Sequence, residues 1–318
     1  MNNDISRRSV LRGSIAAALL STVPPLSFGQ ELSYKPAVPG RPAAPWSQFD
    51  KESTAEDVTA GMDLTGKTAL VTGCNSGLGL ETMRVLAMRG AHVIGAARTA
   101  EKAEVACASV EGKTTPLVVE LTDHPGIVAA AGEVAAMDTP IDMLILNAGI
   151  MALPDLEQVD GIERQFFVNH LGHFALTLGL LDRVKAAPAG RIVVLSSSGH
   201  QWAPDGGIQF DNLSGERDYD PMKMYGQSKL ANGLFAFELA RRLEGTNATA
   251  NAVHPGIINT NLGRHFPKWQ LVVSKAFGWI FMKTVPEGAA TQTYVAASPL
   301  VEGMTGCLLY TSDAADEE

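Results

Sequence analysis

The chain has 318 residues, a net charge of −9, 46% hydrophobic residues and three cysteines, enough for one large α/β domain with extensions. Mild acidity without a basic stripe argues against a nucleic-acid-binding surface. Three cysteines with no ligand spacing exclude a disulfide framework, and no metal site is expected.

The amino-terminal stretch "SRRSVLRGSIAAALLSTVPPLSFGQ" places Arg7 and Arg8 before a modest apolar run from Ile15 to Val23, then Pro24, Pro25 and small residues up to Gly29. The run is too short and too weak to span a bilayer as a mature helix. It predicts a cleavable export signal of the twin-arginine type over residues 1–29, and with it a periplasmic protein. The bland alternative is a disordered extension on a cytoplasmic one. Residues 30–60, rich in Pro, Ala and Ser, read as a linker.

Apolar and helical stretches then alternate. Strands are predicted at Thr68–Thr72, His92–Ala96, Pro116–Leu121, Met143–Leu146, Ile192–Leu195 and Ala248–Val253, and helices at roughly 78–90, 99–110, 125–137, 161–186, 222–244 and 287–297. Near-continuous apolar strands between helices imply a single α/β domain over residues 61–306. Its core is a Rossmann-type doubly wound parallel sheet covered on both faces.

The first strand enters "VTGCNSGLGLETM", with Gly73, Gly77 and Gly79 between strand and helix. Glycines there let the backbone turn tightly and approach a pyrophosphate at a helix N-terminus. The second strand ends at "GAARTAEK", where dinucleotide folds often carry an acidic residue for the ribose 2′-hydroxyl. Ala97 followed by Arg98 suits a 2′-phosphate instead, and so NADP(H) ahead of NAD(H). "MLILNAGI" delivers Asn147, Ala148 and Gly149 to the carboxyl edge of the sheet. "QFFVNHLGHFALTLGLL" is a buried helix interrupted by Asn169-His170, in which His173 reads as a satisfied packing histidine. "RIVVLSSSGH" is a strand that stops in three serines, either a loop start or a donor set for a substrate oxygen.

In "MYGQSKLANGLFAFELARRLEG", Tyr225 and Lys229 share one helix face among the small residues Gly226, Ser228, Ala231 and Gly233. Residues 265–284, "HFPKWQLVVSKAFGWIFMKT", are aromatic and apolar but broken by Lys268, Lys275 and Gly278. They read as a lid over a substrate, as a membrane-surface helix, or as a packing or oligomer face. The final "CLLYTSDAADEE" back-translates as the end of a transposon-based sequencing adapter, so residues 307–318 are read as a non-native tail.

From Leu64 to Gly306 the ordered motifs "TGCNSGLG", "NAG", "VNHLGHF", "VLSSSGH", "YGQSK" and "VHPGIINT" resemble the short-chain dehydrogenase/reductase superfamily, in particular its retinol-dehydrogenase-like branch. The resemblance implies a catalytic tetrad of Asn169, Ser197, Tyr225 and Lys229. It also implies a phosphate loop of Gly73, Ser76, Gly77, Leu78 and Gly79, an adenosine side at Asn147 and Gly149, and a nicotinamide loop of Pro255, Gly256, Ile257 and Thr260. Glu120 stands where the family usually has Asp near the adenine, and the last sheet strand is expected to be missing or replaced by the tail. Lys229 would lower the Tyr225 pKa and hold the nicotinamide ribose, Ser197 would hold the substrate oxygen, and Asn169 a relay water. The small residues would let the cofactor lie against the helix. An apolar lid suggests a bulky lipophilic alcohol or carbonyl substrate, and a homo-oligomer is expected. The alternative is a non-catalytic NADP(H)-binding regulatory or scaffold protein on the same fold, which would not need both Tyr225 and Lys229.

Overall fold

In the computed structural model, which describes residues 47, 49–258 and 282–310, the apolar runs pair as seven parallel strands. The alternation runs β1 (Thr68–Thr72), α1 (Gly77–Met88), β2 (His92–Ala97), α2 (Ala100–Ala108), β3 (Thr114–Val118), α3 (His124–Ala136) and β4 (Met143–Leu146). A small antiparallel hairpin, β5 (Gln158–Val159) and β6 (Ile162–Glu163), precedes α4 (Gly172–Lys185) and β7 (Arg191–Leu195). Then come α5 (Pro221–Arg242), β8 (Thr249–His254), α6 (Val285–Ala297) and β9 (Leu308–Tyr310). The sheet order is β3-β2-β1-β4-β7-β8-β9. β1 pairs with both β2 and β4, so the winding reverses there, and a crevice opens at the carboxyl edge of the strands.

Alternate strand residues feed opposite cores. Leu70, Ile94, Leu144 and Ile192 meet Leu176 and Leu180 of α4 and Phe235 and Leu239 of α5 on one face. Ala69, Val71, Ile145 and Val193 meet Met83 and Leu86 of α1 and Val295 of α6 on the other. This two-sided burial is the single-domain doubly wound sheet that the sequence predicts.

Three boundaries differ from the sequence expectation. β3 begins at Thr114, before the apolar run, because it is an edge strand whose Thr114 and Thr115 are only half-buried. The helix expected over 161–186 is broken: Glu163 caps a single turn, Arg164–Phe166, and a π-helical turn, Phe167–Leu171, follows before α4. Residues read as the end of a linker pack on the domain, with Ala55 buried against Val85 and Ala289 and its amide donating to Pro286 O at 2.9 Å. The last strand, expected to be missing or replaced by the tail, is the second of these: Leu308 and Leu309 pair with Ala252 and Val253.

Arg7 and Arg8, the rest of residues 1–29, Thr260 and most of the 265–284 stretch lie outside the described residues. Among the described residues no helix is long and apolar enough to cross a membrane.

Candidate active site

The cofactor side is built at the β1–α1 turn. Gly73 and Gly77 have φ of +70° and +57°, a region that favours glycine. A Cβ on Gly79 would stand 2.3 Å from Gly73 O and 2.5 Å from Asn147 Nδ2, so the loop and the end of β4 touch only because that side chain is absent. Asn147 Nδ2 donates to Thr72 O at 2.8 Å. Gln292 of α6 donates through Nε2 to Asn147 Oδ1 and to Leu78 O, both at 3.3 Å. α6 is started by a capping box between Thr284 and Glu287, which fixes the register that brings Gln292 there.

Ser76 sits at the N-cap of α1, but its side chain makes no capping bond, and the first turn carries no acid. The helix N-terminus therefore keeps amide donors and positive dipole for an anion, which fits a dinucleotide pyrophosphate. Arg98, directly after β2, is exposed, and no carboxylate precedes it. Glu120, after β3, is half-buried, and its Oε1 accepts from Thr122 N at 3.1 Å and Thr122 Oγ1 at 2.9 Å.

The catalytic side gathers from three elements. Asp220 caps α5 by accepting from Met222 N and Lys223 N, and Pro221 opens its first turn. Tyr225 and Lys229 follow on the next turns, both buried. Lys229 Nζ lies 5.7 Å from the centroid of the Tyr225 ring and donates to Leu195 O at 3.0 Å. Ser197, in extended backbone after β7, accepts Gly199 N at 3.0 Å and lies close enough to Tyr225 to oppose the rise of its pKa. Asn169 lies in the π turn. Its Nδ2 donates to Ile150 O and Ser228 Oγ, both at 2.9 Å, and its Oδ1 accepts Ile150 N at 2.8 Å. A Cβ on Gly149 would stand 3.2 Å from Asn169 Oδ1 and 3.7 Å from Lys229 Nζ, so the cofactor-side and catalytic residues meet at this glycine.

The electrostatics correct one expectation. Burial pushes the Tyr225 phenol up to about 12, with Ser197 opposing it. Burial also brings Lys229 down to about 8. Lys229 is not what pulls on the phenol here, because its ammonium is turned to the Leu195 carbonyl. A second correction concerns the small residues of α5. A Cβ on Gly226 would meet Ala203 N and the Trp202 carbonyl carbon at 2.6 Å, and one on Gly199 would meet Tyr225 Cε1 at 2.9 Å. These two glycines admit the serine loop rather than a ligand, while Ser228 bonds Asn169 and the Tyr225 carbonyl.

After β8, Pro255 is buried, Gly256 takes φ +90° and Ile257 is exposed. Ile257 O accepts Lys283 N at 2.8 Å, and Ile258 bridges to Lys283, so the chain that leaves the loop returns beside it. His254, ending β8, accepts Ser198 N at 3.0 Å through Nδ1, and burial pushes its imidazole down to about 4.

Sequence reasoning missed Gln292, Ser228, Ser196 and His254. Ser196 Oγ donates to Lys229 O at 2.8 Å. His254 stands out after the apolar Ala252-Val253, whereas Ser196 is one of three serines, Ser228 lies between Gln227 and Lys229, and Gln292 lies between two threonines, so no local signal marks them. His173, read as a packing residue, is bonded at both ring nitrogens.

A family model described as short chain dehydrogenase matches residues 67–271. The chloroplastic short-chain dehydrogenase TIC 32 B of Brassica napus is 43% identical over 272 residues, covering 82% of this chain and 85% of that protein. Retinol dehydrogenase 14 of Homo sapiens is 42% identical over 274 residues, covering 80% of each. The crystal structure of an uncharacterized protein from Mycobacterium Paratuberculosis matches with a TM-score of 0.64 at 35% identity, over 80% of this chain and 83% of that one. A structure from Beutenbergia cavernae with bound NADP shares the fold at a TM-score of 0.62 and 24% identity, over 79% of this chain and 96% of that one.

These relatives correct the expected location. The curated relatives at 42–43% identity are chloroplastic plant dehydrogenases and mammalian retinol dehydrogenases, not bacterial periplasmic enzymes. Sequence and sheet agree that the chain belongs to the short-chain dehydrogenase/reductase family of oxidoreductases, with retinol dehydrogenases among its relatives.

Proposed function

We propose that this chain is an NADP(H)-dependent oxidoreductase acting on a bulky, lipophilic alcohol or carbonyl. The observation that carries the reading is the convergence of Tyr225, Ser197, Lys229 and Asn169 at one sheet edge, beside the glycine loop. The nicotinamide supplies or accepts hydride when bound; the residues of this chain handle the proton. A phenol held at about 12 is protonated at neutral pH, so Tyr225 is the donor to a carbonyl oxygen during reduction and the acceptor in the reverse direction. Ser197 donates to the same oxygen as charge develops on it. Lys229 would hold the nicotinamide ribose, and Asn169 a relay water toward Lys229.

Ser76, Leu78 and the loop glycines would hold the pyrophosphate, and Asn147, Gly149 and Glu120 the adenosine side. Arg98 would pair with the 2′-phosphate; its exposed position without a neighbouring carboxylate supports NADP(H). Pro255, Gly256, Ile257 and Thr260 would hold the nicotinamide amide. The lipophilic substrate is supported by the names of the retinol dehydrogenase relatives and by the apolar 265–284 stretch, which would also serve membrane-surface contact. A homo-oligomer is supported by Phe174, Leu178 and Leu234, which α4 and α5 leave exposed. Sedimentation velocity tests it, and a monomer at micromolar concentration removes it.

The functional test is NADPH oxidation against a panel of long-chain, polyene and aromatic aldehydes beside short polar ones. Turnover rising with apolar size supports the reading. NADPH binding with no turnover on any carbonyl or alcohol replaces it with the binding-protein reading.

A further inference from the structure

His173 is fully buried, 1% exposed, in the first turn of α4 directly after the π turn that carries Asn169. Its Nδ1 lies 3.1 Å from the main-chain oxygen of Asn169. A carbonyl oxygen only accepts, so Nδ1 carries the proton. Its Nε2 lies 2.9 Å from Thr72 Oγ1. Burial, with Lys229 and His170 nearby, pushes the imidazole down to about 4 against the pull of the Asn169 carbonyl. The ring is neutral at neutral pH, and Nε2 is a bare acceptor.

Thr72 ends β1, and its hydroxyl oxygen accepts the amides of Asn147 at 2.9 Å and Ala148 at 3.0 Å. Its single proton then goes to His173 Nε2, a shorter contact than the 3.5 Å to Ile145 O. Every link now has a fixed direction. The amides of Asn147 and Ala148 donate to Thr72, Thr72 donates to His173, and His173 donates to Asn169. The chain of bonds starts at the strand end that touches the glycine loop and finishes on the main chain of Asn169.

We propose that His173 is a positioning residue, locked as the neutral Nδ1–H tautomer, that couples the cofactor-side end of β4 to the Asn169 turn. The inference rests on the catalytic reading of Asn169 given above. The Asn147–Ile150 segment is gripped twice: by Thr72 at Asn147 and Ala148, and by the Asn169 carboxamide at Ile150. His173 is the side chain that joins the two grips. A packing role alone would need an imidazole-sized group; this role needs one donor and one acceptor at opposite ends of it.

The test uses His173→Leu, His173→Gln, Thr72→Val and the double variant His173→Leu/Thr72→Val. The readouts are NADPH affinity by fluorescence titration, kcat per folded molecule, and the ¹⁵N spectrum of the wild-type ring, assigned by its loss in His173→Gln. His173→Leu should lower kcat roughly ten- to a hundredfold, the scale of a displaced catalytic group, and weaken NADPH severalfold. Thr72→Val should do the same, and the double variant should be no worse than the poorer single one, because both cut one chain. His173→Gln, which keeps a donor and an acceptor, should recover most of kcat. The spectrum should show a protonated Nδ1 and a bare Nε2. Multiplying losses in the double variant, an Nε2–H tautomer, or wild-type kcat in His173→Leu would each overturn the proposal. If the wild type binds NADPH but turns nothing over, the catalytic reading fails; the NADPH titrations and the ring spectrum still decide the coupling.

Discussion

Asn169 holds the peptide of Ile150 by both of its polar groups, accepting Ile150 N at 2.8 Å and donating to Ile150 O at 2.9 Å. The carboxamide stands in for the strand partner that the chain lacks where it leaves β4. Its second Nδ2 proton goes to Ser228 Oγ, so both donors are committed. A carboxylate of the same shape can make only one of these three bonds. Asn169→Asp should therefore leave Ile150 O and Ser228 without their donor and bury a charge. Expected are a stability loss of about 1–3 kcal/mol or more and a turnover loss of at least roughly a hundredfold. Urea midpoints and kcat measured together check this; unchanged values in both would contradict the arrangement.

Arg98 carries the cofactor expectation. One charged pairing is worth about 1.5–3 kcal/mol, so Arg98→Ala should weaken NADPH binding roughly ten- to a hundredfold and leave NADH nearly unchanged. Titration with both cofactors decides it. Equal wild-type affinities, or parallel losses in the variant, remove the 2′-phosphate role.

The two buried histidines give a pH dependence of stability. His173 and His254 fall from 6.5 to about 4 on folding because burial disfavours their charged forms. Between those values the unfolded chain binds more protons than the folded one. Their contribution is fully present above 6.5 and is lost as pH falls toward 4, by about 2–3 kcal/mol per histidine at pH 4.5. Glu163, whose buried carboxyl is raised, works in the opposite direction. Comparing wild type with His173→Gln isolates one share: the gap between their urea midpoints should narrow from pH 7 to 4.5. A gap independent of pH would show that His173 does not titrate in this way.

The strand pattern was legible because each parallel strand is buried on both faces, as Leu70 and Val71 show by feeding opposite cores. Tyr225 and Lys229 were legible because helical spacing alone puts them on one face. The direction of the Tyr225 shift was not, since it depends on burial and on the ammonium turning to Leu195 O, a residue far off in sequence. The π turn was hidden in an apolar run that reads as ordinary helix. Gln292 reaches Asn147 and Leu78 only after α6 docks on α1, and no local pattern encodes that contact. β9 forms within the tail because Leu308 and Leu309 are apolar enough for an edge strand, whatever their back-translation resembles.

The central claim is that Tyr225 moves the proton while hydride moves between NADP(H) and a lipophilic substrate. The most direct measurement is single-turnover oxidation of bound NADPH by a long-chain aldehyde in the wild type and in Tyr225→Phe. The substitution removes one hydroxyl and keeps the ring against Trp202. NADPH affinity should stay near the wild-type value, and the single-turnover rate should fall by about a thousandfold. A variant that binds NADPH and turns it over at the wild-type rate would contradict the account.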